Sequence, residues 1–238
     1  IFHHSRASYG SRRIVKQLHA EGIAIGRYKV RGIMRRAGLV AKTPKRFKLT
    51  TDSKHSFPVA KNILNRQFDV DTPNRVWTTD ISFVWTFEGW LYLAGLKDVF
   101  TCEIVGYAMG ARMTTDLVSQ AMIRAVQQKR PAAGLIHHTD RGSQYCAGAY
   151  RDLQDQFGMV TSMSRKGNCF DNAPIESFWG TLKSELVHHR RFATRAEAES
   201  AIREYIEIFY NRQRRHSRLG YLAPAEFTRR YWDSAAAA

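Results

Sequence analysis

The chain of 238 residues, 44% hydrophobic and 24% charged, has the composition of a globular protein with one sizeable core and room for a small extra module. Its 37 Lys and Arg residues against 21 Asp and Glu residues give a net charge of +16, which favours a polyanionic partner, nucleic acid first, over a basic protein without one. Three cysteines with no Cys-x-x-Cys pair argue against a disulfide framework or a zinc site, and no apolar run approaches the roughly 20 residues that span a bilayer, so we expect a cytoplasmic protein without a membrane partner.

The first 50 residues form a predicted basic helical module, because they hold 13 Lys and Arg residues against one acid. Apolar spacing predicts one helix over 9–21, a break at Gly22 and a second helix that ends at Gly38. The pair is either a helix-turn-helix that reads DNA or a basic hairpin that only touches phosphates. In both cases we expect DNA contacts from Arg12, Arg13, Arg27, Lys29, Arg31, Arg35 and Arg36.

A polar, weakly periodic stretch follows and predicts a linker over 51–72. From Arg75 onward, runs rich in Val, Ile and aromatic residues predict strands, and they alternate later with helical patterns. This order predicts an α/β core over 73–232 with a mixed sheet flanked by helices, and a tail over 233–238. The predicted strands are 75–84, 90–98, 103–110, 135–140 and 158–163, and the predicted helices are 115–129, 147–157, 173–187 and 194–211.

Three acids in this core suit a site for divalent cations. Asp80 lies inside an apolar strand, Asp140 ends another strand, and Glu176 follows a helix start at Asn172. Taken singly, an Asp at a strand end is more often a turn former and a helical Glu is more often a surface residue. An acid within an apolar strand needs a partner, however, and three carboxylates that meet on Mg²⁺ provide the oxygen ligands that this ion prefers.

Several long motifs follow one another along the chain. They are Tyr9-Gly10-Ser11-Arg12-Arg13-Ile14, Pro73-Asn74-Arg75-Val76-Trp77, Glu88-Gly89-Trp90-Leu91-Tyr92-Leu93, His138-Thr139-Asp140-Arg141-Gly142-Ser143-Gln144-Tyr145 and Asp171-Asn172-Ala173-Pro174-Ile175-Glu176-Ser177-Phe178. In this order they resemble the catalytic, second-frame protein of the insertion sequence 3 family of bacterial transposases, whose core is similar to retroviral integrase. The resemblance covers roughly residues 6–228. A departure lies at Lys97 and Cys102, where the family more often has an apolar residue and an arginine.

The resemblance implies a ribonuclease H-like core and a DDE triad of Asp80, Asp140 and Glu176, with 35 residues between the last two. It implies Mg²⁺ as cofactor, with Mn²⁺ as a substitute and two ions in each active site. Lys183 would hold a phosphate beside the ions; the alternative is a solvated lysine. A basic cluster of Arg212, Arg214 and Arg215 would grip DNA; the alternative is a solvated helix end.

These observations lead to one functional hypothesis and two alternatives. The hypothesis is a DNA transposase that nicks the ends of its element and joins the 3′-OH to another phosphodiester, with no small-molecule substrate. Its partners would be terminal inverted repeats, target DNA in the bacterial nucleoid, and further copies of itself as a homodimer or larger oligomer. The alternatives are a hydrolytic nuclease of the ribonuclease H type and a non-catalytic DNA-binding regulator. We expect Trp77, Trp85, Trp90 and Trp179 in the core or in the wall of the site, and His137 and His138 as packing residues.

Overall fold

The structure is a computed structural model that describes residues 1–42 and 58–237. The end of the predicted basic module (43–50) and the start of the predicted linker (51–57) therefore lie outside the described residues. The module itself contains two helices of equal length, α1 (Ser11–Ala20) and α2 (Arg27–Arg36). Each helix starts after a glycine in extended conformation and turns its apolar side inward, so that Ile14, Val30 and Met34 are buried.

A five-stranded sheet forms the core, in the order β3-β2-β1-β4-β5. Strands β1 and β2 pair antiparallel, as do β2 and β3, whereas β1 pairs parallel with β4 and β4 with β5. The mixed sheet flanked by helices that the sequence predicts is therefore confirmed. The strands are β1 (Val76–Thr86), β2 (Gly89–Asp98), β3 (Ile104–Gly110), β4 (Ile136–Thr139) and β5 (Val160–Met163).

Helices cover both sides of this sheet. The helices of the core are α3 (Thr115–Lys129), α4 (Ser143–Cys146), α5 (Gly148–Gln156), α6 (Ala173–Glu185), α7 (Arg195–Glu204) and α8 (Pro224–Ala236). On one side Trp77 and Leu96 pack with residues of α3 and α5. On the other side Val84 and Leu91 pack with residues of α6 and α7, and this second cluster also includes Ile14 and Val30 of the basic module. The basic module and the side of the sheet that α6 and α7 cover thus share one apolar core.

Several elements differ from the sequence prediction, and the predicted helices include neither α4 nor α8. The helix predicted over 194–211 is α7 followed by a π-helical segment, Tyr205–Gln213. Hydrogen bonds in a π-helix join residues five positions apart, and the buried rings of Tyr205 and Tyr210, which have this spacing, lie with their centroids 6.3 Å apart. Helix α8 continues to Ala236, so most of the predicted tail of 233–238 is helical. None of the helices in the described residues is both long and apolar enough to cross a membrane.

Candidate active site

Asp80 on β1 and Asp140 just after β4 lie close enough for their charges to interact. Parallel pairing of β1 with β4 aligns Thr78 with His138. The two acids stand two positions further along their chains, and side chains two positions apart point to the same face. Asp140 comes directly after the last residue of β4, where its Oδ1 accepts a hydrogen bond of 2.8 Å from the backbone N–H of Gly142. This local turn orients the carboxylate at the end of the strand.

Glu176 belongs to the first turn of α6, and three hydrogen bonds fix this end of the helix over β1 and β2. The side-chain amide of Asn172 donates to the carbonyl oxygen of Thr79 at 2.9 Å. The buried ammonium of Lys97 donates to the carbonyl oxygen of Pro174 at 2.9 Å, and burial lowers the pKa of Lys97 to about 8. These contacts place the exposed side chain of Glu176 close enough to Asp140 for the two charges to interact.

The third bond comes from Trp179, whose Nε1 donates to Oδ2 of Asp80 at 3.1 Å. Its ring can reach Asp80 because the cross-strand neighbour of Asp80 on β2 is Gly95. A Cβ atom at Gly95 would lie 2.7 Å from Cη2 of Trp179, closer than carbon atoms pack. The missing side chain therefore makes room for the indole that orients Asp80. This role of Gly95 could not be predicted from the sequence, because a glycine in a strand has many explanations.

The three carboxylates interact electrostatically. Burial and then the negative charge of Asp140 raise the pKa of Asp80 well above its usual range, and the charge of Glu176 adds to the increase. Burial and the charge of Asp140 also raise the pKa of Glu176. A pocket that collects repelling carboxylates gains from a bound cation, and an all-oxygen donor set suits Mg²⁺. Within residues 1–42 and 58–237, however, no three His, Cys, Asp or Glu side chains already stand in an arrangement that could hold an ion.

Lys183 lies on the same side of α6 as Glu176 and Trp179, as helical spacing predicts. Its Nζ is 5.0 Å from the centroid of the Phe83 ring, a cation–π contact. Burial lowers the pKa of Lys183, and the negative charge of Asp80 opposes part of that shift. The ammonium group thus lies within electrostatic reach of the acids.

The loop that leads into α6 depends on Asp171, which sequence reasoning missed. Its buried carboxylate accepts hydrogen bonds from Arg165, Arg66 and Asn62 at 2.7 to 2.9 Å. The hydrogen bonds from Arg165, with further help from Arg66, hold the pKa of Asp171 well below its usual range. Because Asp171 lies five residues before Glu176, these bonds anchor the approach to the candidate site.

His137 and His138 are buried packing residues, as the sequence predicts. Gln154 Nε2 lies 2.8 Å from Nδ1 of His137, and the hydroxyl of Ser162 lies 2.9 Å from Nδ1 of His138. Burial, with a smaller effect from His138, lowers the pKa of His137 to about 3, and burial lowers the pKa of His138 to about 4. Both rings are therefore neutral at physiological pH.

The structure corrects one predicted DNA contact, Arg214. Its side chain is 6% exposed and donates to both carboxylate oxygens of Glu185, with Nε–Oε2 at 2.9 Å and Nη2–Oε1 at 2.8 Å. A guanidinium paired in the interior cannot reach phosphates, so this residue is structural. The reason is its partner Glu185, which is buried at the end of α6 and also accepts from the Tyr205 hydroxyl.

The other predicted DNA contacts divide into two groups. Arg13 and Arg215 are half-buried; Arg13 lies 3.8 Å from Glu185, and Arg215 donates to Gln17 and to the carbonyl oxygen of Tyr221. Both arginines join the basic module to the core. The exposed group remains a prediction and consists of Arg12, Arg27, Lys29, Arg31, Arg35, Arg36 and Arg212.

The tryptophans also divide. Trp77 and Trp179 are buried as expected, but Trp85 and Trp90 are 55% and 43% exposed. These two residues are therefore not part of the core. They lie on the β1–β2 hairpin beyond the point where β4 stops pairing with β1.

Known protein families match nearly the whole chain. Two family models, both described as integrase core domain, match residues 70–169 and residues 176–231. A model described as HTH-like domain matches residues 1–47. The chain is 57% identical over 232 residues to the insertion element IS600 uncharacterized 31 kDa protein of Shigella sonnei, across 98% of this chain and 85% of that protein. It is 38% identical over 226 residues to the transposase InsF for insertion sequence IS3A of Escherichia coli (strain K12), across 95% of this chain and 78% of that protein.

The chain belongs to the insertion sequence 3 family of transposases. The transposase also shares its fold with retroviral integrases. A simian T-cell lymphotropic virus intasome, solved in complex with a PP2A regulatory subunit, matches 91% of this chain and 70% of that chain with a TM-score of 0.55 at 13% identity. The catalytic core of HTLV-2 integrase in complex with magnesium matches 66% of this chain and 97% of that chain with a TM-score of 0.50 at 13% identity. The predicted integrase-like fold and the predicted family are thus confirmed.

Proposed function

We propose that this transposase cuts one strand at each end of its element and joins the exposed 3′-OH to another DNA phosphodiester. The observation that carries the proposal is the mutual electrostatic influence of Asp80, Asp140 and Glu176, which come from β1, the end of β4 and α6. Acids that lie far apart in sequence but close enough in the fold to repel one another destabilise it. A function in cation binding accounts for their placement.

In this proposal Asp80, Asp140 and Glu176 are the DDE triad and hold Mg²⁺, or Mn²⁺ in its place, as two ions in each active site. When bound, such ions activate an attacking oxygen and stabilise a leaving oxygen in phosphodiester chemistry. The structurally similar HTLV-2 integrase core was solved with magnesium, which supports this choice of cation.

Two further side chains of the site orient an acid and neutralise a phosphate charge. Trp179 donates its indole N–H to Asp80 and so restricts the orientation of that carboxylate. Lys183 would bind a phosphate oxygen of the DNA strand, because its ammonium lies near the acids and over Phe83. We assign no Ser or Tyr nucleophile, since strand transfer by a DNA 3′-OH needs no covalent link between protein and DNA.

The proposed partners are the terminal inverted repeats of the element and a target DNA in the nucleoid. The exposed cations of α1 and α2, Arg12, Arg27, Lys29, Arg31, Arg35 and Arg36, would contact the repeats, which agrees with the HTH-like match of residues 1–47. Because two ends must be brought together, we propose a homodimer or larger oligomer on DNA. The structural similarity to a viral intasome supports an assembly of this kind.

A product-resolved assay tests the proposal. Short duplexes that carry the element ends, one set intact and one set already cut at the 3′ end, are incubated with the transposase and Mg²⁺ or Mn²⁺. We expect nicked products from the intact duplexes and joined products from both sets. Nicking without joining would instead indicate a hydrolytic nuclease, and binding without any cation-dependent product would indicate a regulator.

A further inference from the structure

An exposed group of aromatic rings occupies the β1–β2 hairpin. We call Phe83, Trp85, Phe87 and Trp90 the hairpin aromatics. Trp85, Phe87 and Trp90 are 55%, 70% and 43% exposed, unlike most large apolar side chains of the core. Trp90 packs edge-to-face against both Trp85 and Phe83, with ring centroids 4.9 Å and 5.0 Å apart. These contacts hold the rings in fixed orientations on the surface.

The hairpin aromatics are connected to the candidate active site through Lys183. Trp85 and Trp90 are cross-strand partners, and Phe83 is three residues after Asp80, about 10 Å along the strand at about 3.3 Å per residue. Strand β4 pairs with β1 only over Val76–Thr78, so the second half of β1 extends beyond it. Phe83 and Trp85 are an odd number of positions from Asp80, so they point to the opposite face of β1. The link to the acids is Lys183, which contacts the Phe83 ring and whose pKa is affected by the charge of Asp80.

Cationic side chains border these rings. Lys183 lies over Phe83, and Nε of Arg195 donates to the carbonyl oxygen of Trp90 at 3.0 Å. Arg190 stacks over Phe192 at 5.2 Å, and the backbone carbonyl of Phe192 accepts from the N–H of Phe87. Two acids are also present: Glu88 accepts from the backbone N–H of Arg195, and Glu197 accepts from the side chain of Arg190 at 3.1 Å. Rigid aromatic rings with a cationic border match a ligand that has flat, stackable groups and negative charge.

Single-stranded DNA has both properties, because its bases stack on aromatic side chains and its phosphates bind cations. Paired bases within a duplex do not offer their faces in this way. A second copy of this chain is a poorer fit, since two-fold contact through this surface would place the same cations against one another. Net charge points the same way, because a chain with a charge of +16 favours a polyanion over a copy of itself.

We propose that the hairpin aromatics stack unpaired bases of the DNA strand that enters the active site, while Lys183 and Arg195 contact its phosphates. This inference rests on the proposed strand cleavage and joining, because that function brings a DNA end to Asp80. Stacking would keep the terminal base pairs open and hold the reacting strand in one path beside the acids.

The direct test is binding of a fluorescent 12-nucleotide thymidine strand in EDTA, where no cleavage is needed. The variants are Trp85→Ala and Trp90→Ala, and Trp232→Ala serves as the matched control because Trp232 is 52% exposed on α8, outside the hairpin. Removal of a stacking ring costs binding about 5-fold to 100-fold per base, so we expect about tenfold weaker binding for each hairpin variant. We expect no change for Trp232→Ala and near-complete retention for Trp85→Phe, which keeps a ring.

Unchanged binding in the Trp85→Ala/Trp90→Ala double variant, with a native melting temperature, would overturn the inference. So would a double variant that binds the strand normally but no longer self-associates in sedimentation, because the surface would then join copies of the chain. The product-resolved cleavage assay is run separately. If the hairpin variants lose strand binding but the wild type never cleaves, the proposed function alone is contradicted. If the wild type cleaves normally and the hairpin variants still bind the strand, this inference alone is contradicted.

Discussion

The indole N–H of Trp179 donates to the carboxylate of Asp80 over 3.1 Å, from a ring that lies against Gly95. Gly95 is the cross-strand partner of Asp80, and Trp179 lies one helical turn beyond Glu176. One side chain therefore connects the strand that carries the first acid with the helix that carries the third. The geometry of the proposed triad depends on this contact.

Trp179→Phe removes the hydrogen bond but keeps most of the ring that packs on Gly95. Because a hydrogen bond to a charged group contributes about 1.5 to 3 kcal/mol, we expect the nicking rate to fall about 10-fold to 100-fold while the melting temperature changes little. Trp77→Phe is the matched control, since the indole N–H of Trp77 is buried without a partner within the described residues. Equal nicking rates for the two variants would mean that the contact with Asp80 does not orient the acid.

Gly95→Ala tests the space beneath the indole. The new Cβ would lie 2.7 Å from Cη2 of Trp179, so α6 must shift away from β2 and carry Glu176 with it. We expect a loss of about 1 to 3 kcal/mol in unfolding free energy, as for other overpacked cores, together with a strong loss of nicking. Gly180→Ala on the same helix is the control, because a Cβ there meets nothing within 4 Å and alanine favours helices. A Gly95→Ala protein as stable and active as Gly180→Ala would contradict this account.

Substitutions of Arg214 and Arg212 distinguish an arginine that stabilises the fold from one that is proposed to bind DNA. Arg214→Ala would leave the buried carboxylate of Glu185 without its main counter-charge, so we expect about 3 to 5 kcal/mol lower unfolding free energy in urea titrations. Arg212 is exposed two residues earlier, so we expect Arg212→Ala to keep stability and to weaken DNA binding with a reduced salt dependence. The opposite pattern, a stable Arg214→Ala protein with weak DNA binding, would restore Arg214 as a DNA contact.

The buried histidines predict sensitivity to acid. The pKa of His137 is about 3 in the folded chain and about 6.5 when unfolded, so the unfolded chain binds the proton first as pH falls. Stability from this group is therefore complete above about pH 6.5 and is lost progressively down to pH 3. Between pH 7 and pH 5 we expect the free energy of unfolding of His137→Asn to fall by about 2 kcal/mol less than that of the wild type, as measured by urea unfolding at both pH values. Parallel pH dependence in the two proteins would contradict the neutral, buried state of His137.

Much of the fold could be predicted from local pattern. β-branched and aromatic runs predicted all five strands, and the same runs placed Asp80 on a strand, Asp140 at the end of one and Glu176 on a helix. The sequence could not distinguish Arg214 from Arg212, because burial of Arg214 depends on Glu185, which lies 29 positions away.

Tertiary packing also determines which aromatic side chains are buried. Trp85 and Trp77 lie on one strand in similar apolar surroundings, yet only Trp77 meets the helices that pack on that face. The contact of Trp179 with Gly95 joins a helix to a strand more than 80 positions earlier, beyond the reach of periodicity. Local chemistry thus identified the candidate acids, whereas the residues that orient them emerged only from packing.

The central claim is that Asp80, Asp140 and Glu176 bind divalent cations together and that strand cleavage depends on this binding. The most direct measurement titrates Mn²⁺ into the wild type and into Asp80→Asn, Asp140→Asn and Glu176→Gln, follows free Mn²⁺ by electron paramagnetic resonance, and assays nicking and end binding on the same samples. Asp116→Asn, which changes an exposed acid on α3, is the control. We expect each triad variant to lose Mn²⁺ binding and nicking while it still binds the element ends, and the control to match the wild type. A triad variant that binds Mn²⁺ and nicks DNA as the wild type does would contradict the account.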